Sequence, residues 1–288
     1  MSTELLRPDD APIRIMTADE LREVDRLTRD ECAMPTLLLM EHAAVGLAET
    51  IIKALSMLRE DGSDQLGRVL IVAGRGNNGG DGLAAARLLA DAGVTAEVAL
   101  ASAHEKMEGD AATNLAMVES RDVPVQQIPE RAAGSKANPE DAESWLRSLI
   151  DASGPAVIID AVMGTGLDRP LQGMPLGLVR AINASVATVI AADIPTGLHA
   201  DTGDPMPEAV EADVTVTFAA IKAGFESLEA QRHIGEVIVQ PIGVPPALLR
   251  RFGREAPDEP DAPWREENEE PADPFDRKTD GLPGRSGD

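Results

Sequence analysis

Three stretches of this 288-residue chain place side chains and backbone where they could do chemistry. The first is Gly74-Arg-Gly-Asn-Asn-Gly-Gly-Asp-Gly82, with five glycines in nine residues. Glycine lets the backbone turn sharply and come close to a ligand. A helix is predicted to begin immediately behind it, and its free N–H groups and positive dipole end favour a phosphate. The string Gly74-x-Gly76-x-x-Gly79 fits a dinucleotide fingerprint, a weak signal by itself. The acidic ribose partner expected at the end of the next strand is missing: Glu97 lies near that strand's start, and Ala101-Ser102 occupy its end. No Gly-Lys-Ser/Thr follows, so this is not the phosphate loop of an NTPase. A connecting turn alone would not need Asn77, Asn78 and Asp81 in the same loop.

The second stretch is Val157-Ile-Ile-Asp-Ala-Val-Met-Gly164-Thr-Gly166-Leu. Asp160 ends an apolar strand and precedes a turn of small residues. It could bind a cation or a hydroxyl, or it could cap a local turn, and the spacing leaves both readings open. The third is Asp193-Ile-Pro-Thr-Gly197, followed by Asp201-Thr-Gly203. Asp193 also ends an apolar strand, and partial desolvation there makes it a candidate general acid/base. Pro195 and Gly197 mark a turn at the same place, and the two roles are compatible. Lys222 could reach a phosphate or a nearby acid, or lie solvated on the surface. His42, His104, His199 and His233 have no metal-ligand spacing. Met34, Met40 and Met57 read as core filler, and Cys32 has no base beside it.

Positioning these groups requires an alternation of strands and helices. Thr17-Ala-Asp-Glu20 is a capping-box sequence that opens a helix through about Arg29. Pro35 starts a second helix, with Leu38, Leu39, Ala43, Leu47, Ile51 and Leu55 at helical spacing and Gly62 in the loop that follows. Strands are predicted at Val69–Ala73, Ala96–Ala101, Val125–Ile128, Ala156–Ile159, Thr188–Ala192, Val214–Phe218 and Val237–Gln240. Helices are predicted behind Gly82, over about Gly109–Glu119, ending through Trp145–Ile150, and over Leu176–Asn183. Residues 129–142 read as a surface loop. This pattern specifies an α/β fold: a Rossmann-like, doubly wound, mostly parallel sheet with helices on both faces, in three α/β/α layers. In such a sheet, ligands bind beyond the carboxyl ends of the strands, where the strand order reverses. All three chemical stretches fall at strand ends.

Composition narrows the function further. Hydrophobic residues make up 43% of the chain and aromatic residues only 2%, so the core must be aliphatic, as a sheet buried on both faces requires. A net charge of −24 excludes the basic stripe that nucleic-acid binding needs. No segment approaches the roughly 18–20 apolar residues of a membrane span, and no signal peptide is evident. One cysteine excludes an internal disulfide and a Cys-based metal cluster. A soluble, cytoplasmic protein is expected. Residues 1–16 read as an N-terminal arm and 17–252 as one folded domain. Residues 253–288 read as a disordered tail, with twelve Asp/Glu against five Lys/Arg and six prolines.

With these residues in view, the chain resembles the YjeF N-terminal domain family, whose enzymatic members are NAD(P)HX epimerases. The resemblance runs from about Met16 to Pro245. It rests on Leu39-Met-Glu-His-Ala-Ala44, on Gly76-Asn-Asn-Gly-Gly-Asp-Gly82 with Ala86-Arg87, and on Asp160-Ala-Val-Met-Gly-Thr-Gly166. Asp193-Ile-Pro-Thr-Gly197, Asp201-Thr-Gly203 and Thr217-Phe with Lys222 complete it. The resemblance implies epimerisation at C6 of hydrated NADH and NADPH, for which Asp193, the candidate acid/base, is expected to be the catalytic residue. It implies substrate contacts at Asn77, Asn78, Gly79, Gly80, Asp81, Gly164, Thr165, Gly166, Leu167, Asp168, Arg169 and Asp193. It further implies one potassium ion per subunit held by Asn78, Asp160 and Thr196, a homodimer, and a separate ADP- or ATP-dependent NAD(P)HX dehydratase acting downstream. The family often has Pro where Arg75 stands and Ser where Thr196 stands. A non-catalytic interaction module of the same family and an NAD(P)-dependent oxidoreductase are the rival readings. The second lacks the ribose-binding acid and a convincing hydride-site His or Tyr–Lys pair.

Overall fold

Runs such as Val69-Leu-Ile-Val-Ala73 are apolar at every position, so each strand must find apolar partners on both of its faces. In the computed structural model, which describes residues 12–58 and 67–257, they do. Val69, Ile71 and Ala73 pack with Leu47, Ile51, Leu83 and Leu115 on one side of the sheet. Leu70 and Val72 pack with Leu146, Leu178 and Ile182 on the other. The period-two alternation of side chains along a strand divides each run between two cores.

The first side is covered by α2 (Thr36–Met57), α3 (Asn77–Asp91) and α4 (Gly109–Glu119), the second by α5 (Pro139–Ser153) and α6 (Met174–Asn183). Between them lie β2 (Val69–Ala73), β3 (Ala96–Leu100), β4 (Val125–Gln127), β5 (Val157–Ala161), β6 (Thr188–Ala192), β7 (Val214–Phe218) and β9 (Glu236–Gln240). Their order is β4-β3-β2-β5-β6-β7-β9, and every pairing is parallel. The chain runs outward from β2 through β3 to β4, then returns to lay β5 on the other flank of β2. The strand order therefore reverses between β2 and β5, which is where a doubly wound sheet opens its ligand crevice. No described helix is long and apolar enough to cross a membrane.

The structure departs from the sequence reading at three places. Residues 129–142 are not one surface loop: a 3-10 turn spans Glu130–Ala132, and α5 already begins at Pro139, capped by the Asn138 side chain. Proline at a first helical position was the signal, since its missing N–H would be unbonded there anyway. The inner ends of the arm (1–16) and the tail (253–288) are ordered strands. β1 (Arg14–Met16) pairs in parallel with β8 (Ile221–Lys222) and antiparallel with β10 (Arg254–Glu255). Arg14 donates to the carbonyls of Phe252 and Gly253, both at 2.7 Å. Strands of two and three residues are too short to show a period. The outer parts of both segments, and the loop at Gly62, lie outside the described residues. The third departure concerns the glycine-rich stretch, most of which is the first turns of α3.

Helix α1 (Ala18–Cys32) carries the expected capping box: Glu20 N–H donates to Thr17 Oγ1, and Thr17 N–H donates to Glu20 Oε2 at 2.9 Å. Ala18 N–H is bonded from outside, by Asp201 Oδ1 at 2.6 Å. That bond pins the helix start to the loop after β6.

Candidate active site

Beyond the carboxyl ends of β2, β5 and β6 lies a cavity of about 780 Å³. Asn77, Asn78, Asp81, Gly164, Thr165, Gly166, Arg169 and Asp193 all line it. Leu167 and Asp168 instead line an adjoining cavity of about 340 Å³ that shares Thr165 and Gly166. Gly79 and Gly80 do not line either of them. A Cβ on Gly79 would lie 1.8 Å from the Gly74 carbonyl oxygen, and one on Gly80 would lie 2.6 Å from Met40 Cε. Gly74 is packed as closely, its Cβ position 2.0 Å from the Val162 carbonyl oxygen. These glycines let β2, α3 and the turn after β5 interlock. Gly76, also on the cavity wall, has nothing within 4 Å. It caps α3 with no side-chain bond, so the helix presents free N–H groups and the positive end of its dipole to the cavity.

Asp160 and Thr196 sit behind the cavity wall. Thr196 Oγ1 donates to Asp160 Oδ1 and Thr196 N–H to Oδ2, each at 2.7 Å, and Val162 N–H donates to Oδ1 at 3.3 Å. Burial pushes the Asp160 carboxyl up to about 6 against the pull of these donors. Met163 N–H donates to Thr196 Oγ1 at 3.0 Å, so the carboxylate, the hydroxyl and the turn form one unit. Facing the turn after β5, Asn78 is buried with neither its Oδ1 nor its Nδ2 bonded. Its Cβ lies 3.4 Å from where a Cβ on Gly164 would stand. An unbonded buried amide oxygen, a buried carboxylate and a hydroxyl are oxygen donors of the kind a hard cation takes. The residues present fit a potassium ion in that respect.

Asp193 is not the solitary desolvated carboxyl that the sequence suggests. Its Oδ1 accepts from the Lys222 ammonium and from Phe218 N–H at 3.1 Å. Lys222 is fully buried and spends its remaining donors on the carbonyls of Phe218 and Ala220, at 3.2 and 3.4 Å. It is neither a surface lysine nor free to meet a phosphate. Asp193 has φ +66°, a left-handed conformation in which few residues other than glycine rest. That backbone turn points its side chain across the strand ends. Oδ2 is the oxygen left for a ligand, 3.7 Å from a Cβ placed on Gly164.

Two more carboxyls share this electrostatic neighbourhood. Burial, then the charges of Asp193 and Asp25, push Asp81 well above the usual range, with Lys222 opposing. Asp25 lines the cavity from α1, exposed to the cleft but hemmed in by protein, and desolvation followed by the Asp193 charge raises it to about 6. The sequence reading missed Asp25. It lies four residues after Leu21 and three before Thr28, both buried, so a charge interrupts the apolar stripe of α1. That interruption was the available signal.

With the geometry in hand, comparisons with known proteins decide the family. A model of the family described as YjeF-related protein N-terminus matches residues 36–224. The chain belongs to that family. Among relatives of this YjeF-related domain, the NAD(P)H-hydrate epimerase of Rhodopirellula baltica is 39% identical over 237 residues, 82% of this chain and 87% of its own length. The NAD(P)H-hydrate epimerase of Limosilactobacillus fermentum is 35% identical over 226 residues, 78% and 94% of the two chains. The bifunctional NAD(P)H-hydrate repair enzyme Nnr of Salinibacter ruber is 37% identical over 240 residues, but the match spans only 42% of that longer enzyme. The crystal structure of yeast ynu0 shares this fold: TM-score 0.67, with 87% of this chain and 98% of that one covered at 21% identity.

Proposed function

We propose that this protein is an NAD(P)H-hydrate epimerase, an isomerase that interconverts the R and S forms of hydrated NADH and NADPH at C6 of the nicotinamide ring. The observation that carries the reading is the convergence of Asp193, Asp81, Asp25 and the α3 N-terminus on one cavity at the strand-order reversal. At C6 a hydroxyl and the ring nitrogen share one carbon. The nitrogen lone pair can expel the protonated hydroxyl as water, leaving an iminium, and water returning to the other face inverts the centre. Ring opening and closure is the alternative route. Both need a group that gives and takes a proton in both directions.

Asp193 suits that exchange through Oδ2, because Lys222 and Phe218 N–H hold Oδ1 still. Asp81 and Asp25, pushed toward their protonated forms, supply protons to the same space. Asn77, the open Gly76 and the α3 N-terminus hold a phosphate, and the Gly164–Gly166 turn with Arg169 closes over the dinucleotide. Asn78, Asp160 and Thr196 would hold potassium, which when bound fixes the turn after β5 against α3 and adds a positive charge near the substrate. The downstream step is an S-specific dehydratase.

The test is an incubation of purified protein with mixed R- and S-hydrates and an S-specific dehydratase, followed by NAD(P)H absorbance. An epimerase drives the whole mixture to product at an enzyme-dependent rate. Consumption that stalls at the S fraction refutes the reading and leaves a non-catalytic module.

A further inference from the structure

The chain carries 50 acidic and 26 basic residues, so a basic side chain without an acidic partner stands out. Two such side chains line the cavity. Arg75 and Lys106 are exposed, and neither makes an ion pair or a side-chain hydrogen bond among the described residues. The other cavity bases each have a carboxylate near: Arg22 has Asp19, Lys222 has Asp193, and exposed Arg169 has its neighbour Asp168 at 3.8 Å.

Arg75 follows β2, and Lys106 ends the 3-10 turn that follows β3. These strands are neighbours, with Ala73 paired to Leu100 and Ala101 N–H donating to the Ala73 carbonyl at 2.8 Å. Both cations therefore belong to the β2–β3 end of the rim. Asp193, which follows β6, and Lys222, in β8 just after β7, belong to the opposite end. At the end of β3 the cavity is lined by Ala101 and Ser102, whose hydroxyl donates to the adjacent Ala103 carbonyl at 3.2 Å. In a dinucleotide-binding sheet this strand end meets the adenosine ribose, and an Asp or Glu there holds the 2′-hydroxyl. Such a carboxylate would repel a 2′-phosphate. Here the cavity lining has none at that end: Glu105 does not line the cavity, and His104 turns away to Glu119 at 3.1 Å. A phosphate monoester carries a charge of about −1.5 to −2 at neutral pH, which two unpartnered cations and a hydroxyl would match.

We propose that Arg75, Ser102 and Lys106 form a subsite for the 2′-phosphate of the adenosine ribose, so that the chain favours the phosphorylated hydrate, NADPHX, over NADHX. The inference rests on the epimerase reading for the identity of the substrate, but the subsite itself can be tested without turnover. NADP⁺ and NAD⁺ differ only in the 2′-phosphate, and calorimetric titration of the full chain with each isolates it. NADP⁺ is expected to bind at least about tenfold more tightly, the value of one good charge-assisted contact. In the Arg75→Ala/Lys106→Ala double variant that margin should close, while NAD⁺ binding, the control for an intact cavity, persists. The salt dependence of NADP⁺ binding should fall with it. In turnover, the ratio of kcat/KM for NADPHX to that for NADHX should drop by a similar factor. Equal affinity of the wild-type chain for NADP⁺ and NAD⁺ would overturn the subsite, as would a margin that survives the double substitution. Preferential NADP⁺ binding with neither hydrate epimerised supports the subsite and defeats the epimerase reading instead.

Discussion

Lys222 Nζ meets Oδ1 of Asp193, and the two ends of this ion pair differ in environment: the lysine side chain is 1% exposed and the aspartate 17%. The cation is sealed in, with all its donors used, while the carboxylate keeps one oxygen toward the cavity. Removing the cation alone would strand the carboxylate in a poorly solvated place. Lys222→Met is expected to lower unfolding stability by about 3–5 kcal/mol. The Asp193→Asn/Lys222→Met double variant should recover most of that loss and stay inactive. Urea unfolding of the three proteins checks this, and additive losses would show that the pair is not coupled.

Asp193→Asn alone keeps the size and removes the exchangeable proton. Epimerisation should fall by about 10²- to 10⁴-fold, the usual worth of a positioned acid or base. Calorimetry should show dinucleotide binding largely intact. Wild-type turnover by this variant would refute the assignment.

The glycines of the 74–82 stretch should respond very differently to alanine. Gly79→Ala drives a methyl into the Gly74 carbonyl and is expected to cost about 3 kcal/mol or more, because backbone cannot move aside there. Gly76→Ala meets nothing, and its φ of −89° suits alanine, so stability should change by no more than about 0.5 kcal/mol. Denaturant midpoints of the two variants decide the matter.

Asp25 gives a signed pH effect. Its carboxyl is raised to about 6 in the fold by desolvation and by Asp193, with Asp81 also near and with Lys222 and Arg29 opposing. A raised carboxyl favours the folded state below its unfolded value of 3.8, and that contribution disappears as the pH climbs through about 6. Asp25→Asn should therefore melt close to wild type at pH 4 and above it at pH 8, with slower turnover. A melting difference that is flat with pH would contradict the placement.

Potassium should stabilise the fold. At constant ionic strength, replacing choline chloride with potassium chloride is expected to raise the melting temperature by a few degrees, about 1–2 kcal/mol of linkage. Asn78→Ala, which removes the unbonded amide oxygen, should abolish the difference. A wild-type protein that melts identically in both salts would remove the cation from the site.

Much of this architecture was legible because its strands are apolar throughout and punctuated by glycine. Thr188–Ala192 and Val214–Phe218 fall where the pattern puts them, and the Thr17–Glu20 capping box starts its helix as written. What stayed hidden depends on contacts distant in sequence. Nothing around Lys222 reveals that Asp193, twenty-nine residues earlier, receives its ammonium. Sequence does not distinguish a glycine that lines the cavity, as Gly76 does, from one pressed against backbone, as Gly79 is against the Gly74 carbonyl. β1 is three residues long, and its partner strands lie more than two hundred residues away, so no local pattern announces it.

That short strand links the candidate active site to both ends of the fold. Ile15 is flanked by Ile221 and Arg254, and Met16 is paired with Lys222 itself. A protease that trimmed the chain back to Thr17 would remove Arg14–Met16 and leave both Ile221–Lys222 and Arg254–Glu255 without the strand that pairs them. Catalysis in this protein should therefore be sensitive to how the chain is anchored at its extremities.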